Sequence, residues 1–166
     1  NQNITLRSKV IIDMNDTFNY GQYLNFSGKE EFFAKLNIND TVSLQLTSNL
    51  QNTLIRSEID DLRKDMSSNL KTTIQISDMS QPTYYVENNK FKAFIDNENN
   101  GYFYLGKKFN NDIKNIQIDD GFYIFLELDE LSFDSFFSEN QLENNTNLKL
   151  IKLKIDKLNL YENIYL

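Results

Sequence analysis

The sequence predicts a mostly-β fold: an antiparallel meander forming one curved, elongated sheet, with an open groove and one or two short helical turns. Three observations carry that expectation. Apolar and polar residues alternate with a period of two in one segment after another. Clusters of Asn, Asp and Gly punctuate those segments. Hardly any stretch supports a helix that would cover the apolar rows so formed. A closed β-sandwich, in which sheet packs on sheet, is the alternative architecture.

The first strand spans Ile4 to Met14, with Ile4, Leu6, Val10, Ile12 and Met14 on one side and Thr5, Arg7, Lys9 and Asp13 on the other. Only Ser8 and Ile11 break the alternation. Asn15 and Asp16 close this strand, a turn around Gly21 occupies Phe18 to Tyr23, and Ser27-Gly28 marks a second turn. Phe32, Ala34, Leu36 and Ile38 form the next row. Asn39-Asp40 joins it tightly to Val42, Leu44 and Leu46, which alternate with Thr41, Ser43, Gln45 and Thr47, so the two strands read as a hairpin. Leu54 to Met66 places Ile55, Ile59 and Leu62 at helical spacing among many charges, and is expected as a helical turn or an irregular edge. Alternation resumes at Leu70, Thr72, Ile74 and Ile76 before Pro82 marks an edge or a loop.

A second hairpin joins Tyr84–Val86 to Phe91–Ile95, and Asn100-Gly101 leads into Tyr102–Leu105. After a loop from Lys107 to Asn115, the stretch Asp119 to Phe137 contains a strand that is apolar on both faces. Phe122, Ile124, Leu126 and Leu128 lie on one side, Tyr123 and Phe125 on the other. Such a strand needs cover twice, from protein or from a ligand. Ser132 and Asp134 can cap a helical turn holding Phe136 and Phe137. The tail, Leu148 to Leu160, forms no single stripe on a helical wheel and reads as a strand with two bulges.

Composition narrows the function. The 166 residues, 40% of them hydrophobic, suffice for one domain with a core. Residues 1–166 read as a single β-rich segment, expected to be excised from a longer chain, with no leader peptide or spanning helix of its own. With 17 basic against 24 acidic residues the net charge is -7, which opposes nucleic acid and anionic membrane surfaces as electrostatic partners. Cys and His are both absent. That removes thiol nucleophiles, thiolate metal sites, the usual general base and the commonest transition-metal ligand. The chain is therefore expected not to be an enzyme and to need no cofactor.

The adjacent acidic pairs Asp60-Asp61 and Asp119-Asp120 lack the ligand spacing of a Ca²⁺ loop and read as solvated turns. Asp129 and Glu130 alternate to opposite faces, so Asp129, Glu130 and Asp134 make a poor metal set, and no metal site is expected. Five Asn-x-Ser/Thr matches are what an Asn-rich chain produces by chance. The aromatics of Tyr102 to Tyr104 can stack sugars or bases, although packing within a sheet explains them more simply. What remains is collective: consecutive strands that each place an aliphatic row on one face.

The order of these features resembles the AsmA-like, YhdP-type family of bridge-like lipid transport proteins of the Gram-negative envelope. The resemblance runs from about Gly28 to the C-terminus. It rests on Gly28 followed by Phe32-Phe33-Ala34-Lys35-Leu36, on Ser43 to Leu50 followed by Ile55 and Asp61-Leu62-Arg63-Lys64, and on Gly101 to Leu105. Gly121 to Leu128, the Leu131-Ser132-Phe133-Asp134-Ser135-Phe136 corner and the strand Leu150 to Leu160 continue the order. Gln51 and Asn52 replace an expected Gly, Asp60 and Asp61 replace a usual Pro, and Phe136 replaces Trp.

The resemblance implies an internal segment of a periplasmic β-groove, anchored in the inner membrane through a part not present here. Through that groove phospholipid acyl chains would pass between the inner and outer membranes. The implied partners are those acyl chains and the remaining segments of the same long chain, with membrane contact only through parts outside this segment. Leu36, Ile38, Val42, Leu44, Leu46, Ile74, Ile76, Phe122, Ile124 and Leu126 are the expected lining. The competing expectation is a closed-sandwich binding or adhesion module of a secreted or surface protein, with the Tyr84 and Tyr102 region as its contact.

Overall fold

The computed structural model describes residues 3–17, 19–20, 24–57, 59–106, 121–132 and 148–159. Their strands are β1 (Ile4–Asp13), β2 (Asn19–Tyr20), β3 (Leu24–Ser27), β4 (Lys29–Ile38), β5 (Val42–Ser48) and β6 (Leu54–Ser57). β7 (Thr72–Ser77), β8 (Thr83–Glu87), β9 (Phe91–Ile95), β10 (Gly101–Leu105), β11 (Phe122–Ser132) and β12 (Leu148–Asn159) follow. A four-residue helix, α1 (Met14–Thr17), and a single 3-10 turn at Asp60–Leu62 are the helical elements among the described residues. The fold is mostly β, as the alternation predicts.

Nine strands form one open sheet in the order β1-β4-β5-β7-β8-β9-β10-β11-β12, and β2-β3-β6 form a small second sheet. Pairing is antiparallel from β1 through β10, and both expected hairpins are present, with Ile38 opposite Val42 and Glu87 opposite Lys92. The meander then changes direction, since β11 runs parallel to β10 and β12 parallel to β11. Parallel neighbours need a long connection rather than a hairpin, and Gly106 to Gly121 and Ser132 to Leu148 have that length. β12 shows one register shift, between Phe122 and Tyr123 on its partner, rather than the two bulges expected. The loop at Lys107 to Asn115, the Asp119-Asp120 pair, Phe133 to Phe137 with Asp134, the Asn144-Asn145-Thr146 match and Leu160 lie outside the described residues.

Two insertions build the small sheet. β2 and β3 leave the large sheet between the paired strands β1 and β4, and β6 leaves it between β5 and β7. The segment expected as a helical turn or irregular edge is thus a strand, Leu54–Ser57, followed by the 3-10 turn. Its apolar side chains find partners at long range. Ile55 clusters with Met14, Phe32, Leu50 and Leu70, and Leu62 with Leu105, Leu126 and Leu128.

Those two contacts require the large sheet to curl. In a flat sheet β4 and β11 would stand six strand spacings apart, about 29 Å at roughly 4.8 Å each. Ile55 and Leu62 are separated by a strand end and a tight 3-10 turn, which span less than that. Direct bonds hold the turn across the gap: Lys90 Nζ donates to the carbonyls of Asp61 at 2.9 Å and Arg63 at 2.6 Å, and the Asp129 N–H donates to Asp61 Oδ2 at 3.4 Å.

A buried polar pair anchors the cover on its other side. Glu30 Oε1 accepts from Ser48 Oγ at 2.6 Å, and its Oε2 accepts from the Asn52 N–H at 2.8 Å and Thr53 Oγ1 at 3.1 Å. Lys64 Nζ donates to the carbonyls of Thr53 at 2.7 Å and Asp65 at 2.9 Å. A Cβ at Gly28, where φ is +119°, would overlap the Asn52 carbonyl oxygen, so this crossing of chains requires glycine.

Burial pushes the Lys64 ammonium below the ordinary lysine value, against the opposing pull of Glu30 and Asp65. The unfolded chain therefore binds more protons than the folded one between that lowered value and the ordinary 10.5. Stability attributable to Lys64 should rise as pH climbs through this window. Lys64→Met is expected to remove the rise, read as the wild-type minus variant difference in urea midpoint from neutral to alkaline pH. A pH-independent difference would show that the ammonium folds without a desolvation cost.

Candidate functional site

Strand register decides which residues share a face. Leu36 lies opposite Leu44, Leu44 opposite Ile76, Ile76 opposite Tyr84, Tyr84 opposite Ile95, Ile95 opposite Gly101 and Gly101 opposite Phe122. Leu6 extends this row onto β1 and Leu148 onto β12. A second row runs through Ser8, Ala34, Leu46, Ile74, Val86, Ala93, Phe103, Ile124 and Ile151. Ile38 and Val42 pair beside the first row, and Leu126 pairs with Leu105 beside the second. Every residue expected to line a groove therefore projects from one face, and neither row contains a charge.

The small sheet divides this face in two. Leu46 and Ile74 pack against the cluster of Phe32 and Ile55, and Ile124 against that of Leu62 and Leu128. Leu126, only 6% exposed, belongs to the core itself. These residues form a closed end beneath the cover. Leu36, Ile38, Val42, Leu44, Ile76 and Phe122 belong to neither cluster and are half-buried. They floor an open trough, with the more exposed Leu6, Tyr84 and Leu148 along the same row.

Gly101 belongs to the trough for a steric reason. A Cβ there would overlap the Phe94 carbonyl, so glycine lets the Asn-rich turn bring β10 against β9. The neighbouring Asn100 ties the next strand in place, its Oδ1 accepting from the Gly121 N–H at 2.8 Å while Gly101 N–H donates to the Gly121 carbonyl at 3.0 Å.

The opposite face is different in kind. Tyr85, Phe94, Tyr102 and Tyr123 stand in register across four strands, and Phe94 stacks on Tyr102 with ring centroids 5.9 Å apart. Tyr104 and Phe125 beside them are buried, which gives β11 its second covered side. Glu87 accepts from Lys92 at 2.8 Å, which holds its carboxyl below the usual range. Burial first, then the Glu87 carboxylate, push the Tyr85 hydroxyl up. Tyr84 and Tyr102 thus occupy opposite faces of the sheet.

Among the described residues no group of three acidic, His or Cys side chains gathers, and no helix is long and apolar enough to cross a membrane. The buried Glu30 and Lys64 sit under the cover, away from the trough, with their polar atoms bonded to the chain. Among the described residues the trough is an extended, uncharged and partly exposed apolar surface. No family model matches this chain, and neither a known protein nor a solved structure is detectably similar to it.

Proposed function

We propose that the trough carries phospholipid acyl chains and that the chain is a segment of a lipid-conducting β-groove. The observation that supports this reading is the uncharged, half-exposed row that crosses the whole nine-stranded sheet. Eight spacings of roughly 4.8 Å give it a contour of about 38 Å measured along the curl of the sheet. One leaflet's acyl layer is about 15 Å, half of a bilayer's hydrocarbon thickness. The trough therefore exceeds a single binding pocket and has the dimensions of a path.

The energetics fit transport. Each CH₂ kept from water contributes about 0.8 kcal/mol, so an acyl chain moved through water would cost on the order of 10 kcal/mol. A floor of Leu, Ile, Val and Phe offsets that cost at every position, without hydrogen bonds that would fix the lipid in place. No nucleophile or cofactor enters the scheme. The resemblance to AsmA-like proteins supports a place in the Gram-negative periplasm, within a longer chain anchored in the inner membrane.

A photo-crosslinking residue at Leu44 in the full-length protein tests the reading. Irradiation of cells is expected to capture phospholipid there, and to capture none from Gln45, the next residue, which faces the other side of the sheet. Crosslinks from Leu44 to protein alone would overturn the assignment.

A further inference from the structure

We propose that Asn100-Gly101 is a latent deamidation site, which the folded junction between β10 and β11 suppresses and which, once modified, holds that junction open. The inference is independent of what the trough carries. Asn100-Gly101 is the one Asn-Gly pair in the sequence. Its reaction needs only water and base. The Gly101 nitrogen gives up its proton and attacks the side-chain carbonyl carbon of Asn100, the C–N bond of the side-chain amide breaks, ammonia leaves, and a cyclic imide forms. Water then opens the imide at either carbonyl, which yields aspartate or isoaspartate in place of Asn100. A glycine nitrogen is the least hindered nucleophile, and the fold admits no larger residue there, because a Cβ on Gly101 would overlap the Phe94 carbonyl oxygen.

In the folded chain both reacting groups are held away from each other. The Gly101 N–H donates to the Gly121 carbonyl at 3.0 Å, and both glycines are buried. Asn100 Oδ1 accepts from the Gly121 N–H at 2.8 Å. Its Nδ2 donates to Asp96 Oδ2 at 3.2 Å and its backbone N–H to Asp96 Oδ1 at 2.8 Å. Ring closure turns the Asn100 side chain back onto its own backbone, away from Gly121 and Asp96. Attack therefore waits for a local opening in which β11 parts from β10.

The products do not fit the closed junction. A carboxylate in place of the Asn100 amide sets like charge against Asp96, where the amide had donated a hydrogen bond. Isoaspartate also adds a methylene to the main chain, which disturbs the pairing of Gly101 with Phe122 at the start of the parallel β10–β11 ladder. A modified molecule thus loses the bonds that guarded the site.

The test incubates the full chain at mildly alkaline pH, folded and in guanidinium chloride, and follows deamidation at Asn100 by peptide mapping with mass spectrometry. Folding is expected to slow the reaction by about tenfold or more, in step with the hydrogen-exchange protection of the Gly101 N–H. Asp96→Ala removes both bonds from Asn100 to Asp96 and should speed deamidation of the folded chain severalfold. The deamidated chain, isolated by anion exchange, should exchange its Gly121 N–H faster than the parent does. Four results would each overturn the proposal: no deamidation at Asn100 in guanidinium chloride, equal rates folded and unfolded, a slowing far smaller than the Gly101 protection, or unchanged Gly121 exchange after deamidation. An Asp96→Ala chain that folds and deamidates at the wild-type rate would do the same.

Discussion

Phe32→Ala is expected to lower folding stability by about 3–5 kcal/mol, read as a fall in the urea midpoint at an unchanged m-value. Phe32 is fully buried, and its neighbours come from α1, the turn after β5, β6 and the approach to β7: Met14, Leu50, Ile55 and Leu70. Removing the ring opens a void between the two sheets. Collapse into it would require the small sheet to shift against the Glu30 bonds to Ser48, Asn52 and Thr53. Most of the cavity cost should therefore persist. Phe33, one residue on, faces the other way and is 58% exposed, with Lys9 Nζ 5.1 Å from its ring centroid. Phe33→Ala should cost less than about 1 kcal/mol. Equal losses from the two substitutions would mean that the small sheet is not held at Phe32.

The contrast between adjacent phenylalanines shows why much of this fold was legible in the sequence. Parity along a strand is a local property, and a register that pairs Leu36 with Leu44 and Leu44 with Ile76 carries that parity from strand to strand. Apolar residues expected from separate segments could for that reason fall on one face. Parity does not say where a second layer lands. Leu46, Ile74, Ile124 and Leu126 alternate just as Leu44 and Ile76 do, yet they lie at the end of the face that the small sheet reaches.

The cover itself was poorly legible. β6 is four residues long, pairs with β3 across an intervening hairpin, and has Arg56 and charged neighbours that mimic a solvated edge. Glu30 sits between Lys29 and Glu31 and Lys64 beside Arg63 and Asp65, contexts that read as surface, and only tertiary structure buries them. The parallel pairings did leave a trace, in the length of the connections flanking β11. A hydrophobic pattern encodes which face a residue takes but not which way its strand runs.

An acidic residue in the trough separates its function from its fold. Leu44→Asp is expected to cut phospholipid capture, measured with a photo-crosslinking residue at the facing Ile76, by about 100-fold or more. An acyl chain covering an unpaired carboxylate must strip its water without supplying a partner, at a cost of several kcal/mol. Aspartate is the informative choice because it is short, whereas the stem of a lysine would carry its charge out of the trough. Folding should change far less than for Phe32→Ala, since Leu44 is half-buried and belongs to neither core cluster. Gln45→Asp on the opposite face leaves the row untouched and should leave capture unchanged. If both substitutions reduce capture equally, or if neither does, acyl chains do not pass over Leu44. A loss confined to Leu44→Asp, in a chain that still unfolds cooperatively near the wild-type midpoint, assigns the open half of this face to lipid and the closed half to stability.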